Sequence, residues 1–390
     1  MLKSLILAAL SGGSLGAQTA LVLPFFNHSQ ASNLDWIGES IAESVRDSLV
    51  SEGLLVLDRA ERLEAYRRLS LRPRAELTHA SVIKIAEALD AGNVIYGSYQ
   101  VLPGEADLTK SSLRIEARIL DLKRMHQGPA LEEMGALEDL AAIEAHLGWR
   151  ILESLKPNGA PAERDFLNAR PRVRIDAVEN YIRGLLAPTP EQSHRFFTQA
   201  ARLDEHYSQP CFQLGKSDWE KKEYKVAAGW LERVSRADPH YLEAQFFLGL
   251  CRYYIGDFAG AEQAFQLVEA SVPLNEVYND LGAVESRRND AGAAIASFQK
   301  AVEGDSADPD YHFNLAYAFW RSGQYPAAIA SFREVLARSP GDGEATALLS
   351  RALRGEGPRP GDPKAESRER LKTNYDETAY RQLQAELSKH

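Results

Sequence analysis

The residue types able to do acid–base or nucleophilic chemistry are present in this chain but not gathered. His28, His79, His126 and His146 recur at no fixed spacing, and no His-x-x-x-His pair marks a helix face. There is no serine nucleophile elbow and no GxGxxG loop. Gly12-Gly13-Ser14 begins like a nucleotide-binding loop, but no Gly-Lys-Ser/Thr follows. Asp35 and Glu39 share a face at i,i+4, which a helix cap and a solvated surface explain. The two cysteines, Cys211 and Cys251, have no spacing that suits zinc. The sequence therefore predicts no enzyme, no metal and no cofactor. The chemistry that does recur is that of binding: Phe212, Phe246 and Phe313 stand at equivalent places in a repeated pattern.

Length and composition agree with a binding protein. At roughly 150 residues per domain, 390 residues imply two or three domains. An apolar fraction of 44% with 26% charged residues supplies an ordinary globular core. The net charge of −10 argues against nucleic acid as the main partner, since phosphate binding needs clustered Lys and Arg. Two cysteines rule out a disulfide scaffold, and no apolar run reaches the ~18 residues of a membrane span.

Residues 1–17 read as a secretory signal: Lys3, an apolar stretch Leu5–Leu10, then small residues ending near Gly16 and Ala17. No cysteine follows, so a lipid anchor is not indicated. Residues 18–157 read as a small α/β domain. Thr19–Phe26 is a buried strand, and Asp35 caps a helix with Ile37, Ile41, Val45 and Leu49 on one face. Leu54–Leu57 is a second strand; helices over 60–69 and 80–89 follow, then a strand over 93–102. Leu113, Ile115, Ala117 and Ile119 alternate with Arg114, Glu116 and Arg118, a strand with one wet face. A further strand over 130–137 and a helix over 140–155 close the domain.

This order, with its wording, resembles the TolB-like amino-terminal domain related to the FlgO and CsgG envelope proteins. The matching phrases are Val22-Leu23-Pro24-Phe25-Phe26-Asn27, Trp36-Ile37-Gly38-Glu39-Ser40-Ile41, Ala88 to Tyr99, and Arg114 to Asp121. The resemblance implies a non-catalytic module of envelope assemblies, also found beside signalling domains, and it carries no active-site residues. Residues 158–175 read as a linker, with Arg164, Arg170, Arg172 and Arg174 as a short basic patch that is either solvated or met by an acidic surface.

Self-similarity is the strongest signal. Leu214-Gly215, Leu248-Gly249, Leu281-Gly282 and Leu315-Ala316 recur at intervals of 34, 33 and 34 residues. Each is followed by a small residue (Ala227, Ala261, Ala294, Ala328) and, four later, by Leu231, Phe265, Phe298 or Phe332. Pro239, Pro273 and Pro340 end three units, while Ser306 stands in the third. Two short helices cannot bury their apolar faces alone, so such pairs must stack. The pattern resembles the tetratricopeptide repeat, with four full units starting near Ser208, Leu242, Asn275 and Pro309. A shortened unit precedes them (177–187 with 190–203), and 343–353 is the expected capping helix within a solenoid spanning 176–354. The fold class is thus α/β plus all-α: a small α/β sandwich domain followed by a tetratricopeptide-repeat α-solenoid.

The resemblance implies that the first helices line a groove. Residue-by-residue matching places Phe212, Phe246, Asn279 and Phe313 at one position and Trp219, Tyr253, Ser286 and Trp320 at another. A third holds Lys216, Leu250, Ala283 and Tyr317, and Gln209, Glu243, Glu276 and Asp310 form the rim. The expected site is therefore Phe212, Lys216, Trp219, Phe246, Leu250, Tyr253, Asn279, Phe313, Tyr317 and Trp320, with a polar gap in the third unit. Its expected ligand is an extended protein segment of apolar or proline-rich character with some positive charge. Several of these aromatics have the alternative of packing between repeats. Cys211 and Cys251 sit six positions out of step, about 9 Å along the axis, too far for a disulfide and consistent with buried thiols. Residues 355–390 read as a charged, flexible tail in which Tyr380, Leu383 and Leu387 form a narrow stripe able to dock. These readings describe a non-enzymatic interaction scaffold of the bacterial envelope, periplasmic or outer-membrane associated. The alternative is a cytoplasmic signalling accessory built from the same two modules.

Overall fold

The computed structural model describes residues 19–29, 31–102, 111–170, 172–358 and 369–387, so the signal expected at 1–17 lies outside the described residues. The chain divides into two compact units, Met1–Ile182 and Arg183–His390.

The first unit is built on a six-stranded mixed sheet. Strands β1 (Ala20–Val22) and β2 (Phe26–Asn27) both run parallel to β3 (Asn93–Leu102). β3 pairs antiparallel with β4 (Ser112–Asp121), which pairs with β5 (His126–Gln127) and β6 (Leu131–Ala136). The single strand expected over 19–26 is thus split in two. Pro24 has no N–H for the ladder, and Phe25 N–H instead donates to Gly38 C=O at 3.0 Å.

Four longer helices surround this sheet: α1 (Trp36–Val50), α2 (Arg59–Arg68), α3 (His79–Ala88) and α4 (Leu140–Leu155). Helices α2 and α3 bury Tyr66, Val82 and Ile85 against Leu21, Leu23, Val94 and Leu120. Alternate residues face the other way. There Phe25 lies between Gly38 and Gly97, and Ile143 of α4 lies against Gly135 of β6. The α1 stripe of Ile37, Ile41, Val45 and Leu49 is fully buried.

Four expectations are corrected in this unit. Leu54–Leu57 is not a full strand. Gly53 turns the chain at φ +75° and Asp58 already caps α2, which leaves room for a single bridge between Ala20 and Val56. Asp35 does not cap α1 with its side chain; its own backbone is helical, and its carboxylate accepts from Asn27 Nδ2 at 2.8 Å. Glu39 is not on a solvated face. It is buried and bonded to Arg62 and to Arg59 Nε, the latter at 2.8 Å, while Arg62 Nη1 also donates to Val22 C=O at 3.2 Å. The 158–175 stretch holds a short helix, α5 (Glu163–Asn168), whose Phe166 is buried. The Arg170 guanidinium sits 3.3 Å over the Phe166 ring centroid, and Arg174 pairs with Asp176, so this stretch presents no continuous free basic patch.

The second unit stacks helix pairs. Helix α6 (Ile175–Leu186) crosses the boundary between the units, and α7 (Pro190–Leu203) pairs with its C-terminal part through Gly184 and Phe197. Four pairs follow: α8 (Gln209–Glu220) with α9 (Tyr224–Leu231), α10 (Tyr241–Ile255) with α11 (Phe258–Ser271), α12 (Asn275–Arg287) with α13 (Ala291–Gly304), and α14 (Pro309–Arg321) with α15 (Tyr325–Arg338). Helix α16 (Gly343–Leu353) packs Ala345, Leu348 and Ala352 against the last pair.

The pairs are closed by contact between a small residue and a large one. A Cβ on Gly249 would come within 2.8 Å of the Phe265 ring, and one on Gly282 within 2.8 Å of Phe298. Between the helices of each pair one residue is left-handed: Lys222, Gly256, Asn289 and Gly323. The third unit lacks its terminal proline, and there the Asp305 carboxylate turns the chain by accepting from Ala307 N–H at 2.8 Å. Cys211 and Cys251 are buried free thiols, and burial pushes Cys251 up to about 12. No helix among the described residues is long and apolar enough to cross a membrane.

Three outcomes are expected. Arg62→Ala leaves the buried Glu39 with Arg59 as its remaining partner and removes the bond to Val22 C=O, and should cost the first unit about 1.5–3 kcal/mol in chemical denaturation. Lys222→Gly should raise the stability of the solenoid by about 0.5–1 kcal/mol, because a left-handed residue with a Cβ costs roughly 1–2 kcal/mol and glycine loses part of that gain to entropy. Burial pushes the Glu144 carboxyl up to about 8, against a weaker opposing hydrogen bond from Ser40. Its folded value lies above its unfolded one, so its stabilising effect is full below about pH 4.5 and is lost as pH rises toward 8. Glu144→Gln should flatten that decline in Tm measured from pH 5 to 9.

Candidate peptide-binding groove

The first helices of successive repeats carry their side chains in register, so one residue per repeat recurs along a common surface. Within the second unit this surface is occupied. Residues Glu369–Asp376, expected as part of a mobile tail, lie across α10, α12 and α14 and lead into α17 (Glu377–Leu387).

The segment is held first by its backbone. Asn314 takes both polar groups of Arg370: its Oδ1 accepts from Arg370 N–H at 2.8 Å, and its Nδ2 donates to Arg370 C=O at 2.9 Å. Asn279 Nδ2 donates to the same carbonyl at 2.8 Å, and Asn279 Oδ1 accepts from Asn314 at 2.7 Å. Further along, Asp280 Oδ1 accepts from Lys372 N–H at 2.8 Å and Glu276 Oε1 from Asp376 N–H at 3.0 Å. Both asparagines are fully buried. Burial pushes the Asp280 carboxyl well above the ordinary carboxylate range, and its second oxygen is buried without a hydrogen-bond partner among the described residues.

Side chains of the segment then alternate, as in an extended strand. Arg370 reaches Asp342 at 2.8 Å, Asp310 at 3.1 Å and Glu344 at 3.4 Å, with its guanidinium 3.6 Å over the Phe313 ring. Lys372 meets Asp308 at 2.7 Å and Asp310 at 2.8 Å. On the other side, Glu369 is buried against Ser286 Oγ at 2.6 Å and Arg321 at 3.3 Å. Leu371 packs on the cluster of Ala283, Phe298 and Leu315, as does Tyr253. Tyr375 stands edge-on to Phe246 with centroids 5.2 Å apart. Burial alone would raise the Asp310 carboxyl, yet Lys372 and Arg370 hold it below the usual carboxylate range. The same partners keep Arg370 and Lys372 more firmly protonated than burial would allow.

Of the residues expected to line the groove, Phe246, Asn279 and Phe313 meet this segment, and Tyr253 packs on the same cluster as Leu371. Phe212 and Lys216 sit in the first full unit, where Phe212 stacks on His240 at 4.4 Å and Lys216 Nζ reaches Glu243 at 2.9 Å. Burial would raise Glu243, but His240 and Lys216 pull it down to about 2. Leu250 is fully buried. Trp219 packs with Tyr224, Phe247 and Tyr254. Tyr317 and Trp320 are buried in the cluster that docks α16, and Trp320 Nε1 donates to Glu356 C=O at 2.8 Å. Packing within and between repeats accounts for Trp219, Tyr317 and Trp320.

The sequence offers Lys216, Asn314 and Arg321 only as a sparse set for clamping a terminal carboxylate, and it does not single out Asp280, Asp308 or Asp342 as groove residues. Asn314 lies one repeat plus one residue beyond Asn279, and that spacing was the available signal. The polar gap expected in the third unit is where Asn279 and Ser286 bind the segment, and the rim acids Glu276 and Asp310 take part.

The tetratricopeptide-repeat family matches residues 212–276 and 279–343. These residues form a tetratricopeptide-repeat array. Solved structures similar to this chain include a MamA fragment, 41-end, from Desulfovibrio magneticus RS-1, at 23% identity and a TM-score of 0.38, covering 41% of this chain and 92% of that one. Another is YrrB, described as a tetratricopeptide-repeat protein with an unusual peptide-binding site, at 18% identity and a TM-score of 0.36, covering 44% and 87%. Comparison with curated proteins gave no match.

Removing the Asn314 clamp strands the polar backbone of Arg370, a loss of about 1–3 kcal/mol. Asn314→Ala should therefore speed amide hydrogen exchange at Arg370 and Lys372 by roughly tenfold or more while the helices α10–α13 keep their protection.

Proposed function

We propose that this protein is a non-enzymatic interaction scaffold of the bacterial cell envelope whose repeat groove holds an extended, positively charged protein segment. The observation that carries this reading is the Asn279–Asn314 pair closed around the Arg370 backbone. Such a clamp accepts any extended chain, and the acids around it select for basic side chains. Stacked repeats serve as protein-interaction modules, which fits a surface of backbone-binding asparagines rather than converging catalytic groups. The α/β unit, with its TolB-like wording and the signal-like residues 1–17, supports an envelope location in which that unit attaches to a second partner.

Crosslinking and pull-down from native cells tests the groove. A folded Phe246→Ala/Asn279→Ala variant should lose the partner that the wild type recovers, and equal recovery would overturn the groove as the binding surface. Location is tested separately by N-terminal sequencing of the fractionated protein. A periplasmic chain starting near residue 18 is expected. A cytoplasmic chain retaining Met1 would favour a signalling accessory.

A further inference from the structure

The groove reading leaves open what the groove selects and when it is available. Both answers lie in the segment that fills it. We infer that Glu369–Tyr375 is a built-in occupant of the groove, and that the external partner presents the same chemistry: an acidic residue, Arg, an apolar residue and Lys in succession, then an aromatic residue three places on. This inference rests on the proposed use of the groove and adds its specificity and its gate.

Four observations carry it. The recognition is spread over backbone and side chains alike, with Glu369, Arg370, Leu371, Lys372 and Tyr375 each met by a partner of matching chemistry. Glu369 meets Arg321, Arg370 meets a three-acid pocket roofed by Phe313, Leu371 meets an apolar cluster, and Lys372 meets Asp308 and Asp310. Beyond each other and Asp280, the side chains of Asn279 and Asn314 bond the Arg370 backbone, and with the segment in place both are fully buried. The rim also carries more carboxylates than the segment has cations: Asp308, Asp310, Asp342 and Glu344 face Arg370 and Lys372. That surplus favours a still more basic segment over the resident one.

The fourth observation is chain continuity. Trp320 and Arg351 hold Glu356 and Gly357 beside α16, only about a dozen residues before Glu369. A segment tethered so closely competes at an effective concentration on the order of millimolar. A partner at micromolar concentration therefore binds weakly until the tail is displaced, either by a tighter copy of the pattern or by loss of the tail's own contacts.

Fluorescence anisotropy with a labelled synthetic peptide of residues 369–380 tests this on the full chain. Arg370→Glu/Lys372→Glu, which reverses the charges on the resident segment, should raise affinity for the wild-type peptide at least tenfold over the wild-type chain. Adding Asn314→Ala should abolish that gain, and a peptide carrying the same two charge reversals should not bind. Equal affinity of both chains, with binding still lost on Asn314→Ala, would overturn the gate while leaving the groove as a binding surface. Absence of peptide binding to the charge-reversed chain would overturn the recognition pattern, whereas unaltered partner recovery from the Phe246→Ala/Asn279→Ala variant would instead overturn the groove itself. Sedimentation distinguishes the remaining arrangement. A monomer at all concentrations is expected, and assembly that disappears in the charge-reversed chain would show the segment exchanged between copies and overturn its binding in cis.

Discussion

The solenoid depends on one close approach, repeated about every 34 residues, between the backbone of a first helix and a large apolar side chain of the second. At Gly249 and Phe265, and again at Gly282 and Phe298, the space a Cβ would take is filled by a ring. That contact sets the separation of the two helices within a pair, and stacking follows because neither helix has buried its remaining apolar side. It also determines which residues stay available. The second helix is spent on packing, while the first keeps a polar and aromatic surface aligned from repeat to repeat. Wherever that alignment meets a neighbour instead, as at Trp320 beneath α16, an aromatic residue becomes core.

Binding in the groove is then a matter of satisfying buried polar groups. Asn279 and Asn314 are affordable in a fully buried position only because they bond each other and an extended backbone. Their amides read chain direction and extension and are indifferent to side-chain identity. Identity is read by the acids of α14 and α16, and by Phe313, which lies under the guanidinium of Arg370. The two tasks fall on different residues, which lets the surface hold a chain firmly and still choose among chains.

The first unit solves a different problem. Strand β1 is fully buried, and the links between the layers around it include ionic ones. Glu39 and Arg62 tie α1 to α2 and to the C=O of Val22 at the end of β1. Glu144 sits between α1 and α4 with burial holding its proton in place. These groups look like surface charges in a linear reading, because amphipathic spacing does not tell which of two faces a neighbouring helix will cover.

Periodicity, helix caps and turn residues made much of this protein legible in one dimension: the α/β unit, the helix pairs, the capping helix and the close small–large contacts. Each is local, set by residues within one or two elements. Repeat matching also reached Phe246, Tyr253, Asn279 and Phe313, because a stacked array places equivalent positions in line. What only the tertiary structure decided is the partner of each side chain. Arg370 and its acids at Asp310, Asp342 and Glu344 are separated by 26 to 60 residues, and Glu369 meets Ser286 across 83. A short charged stretch such as Glu369-Arg370-Leu371-Lys372 has too little apolar area to declare itself bound. It is ordered by an opposing surface that exists only once three helix pairs and the capping helix have stacked.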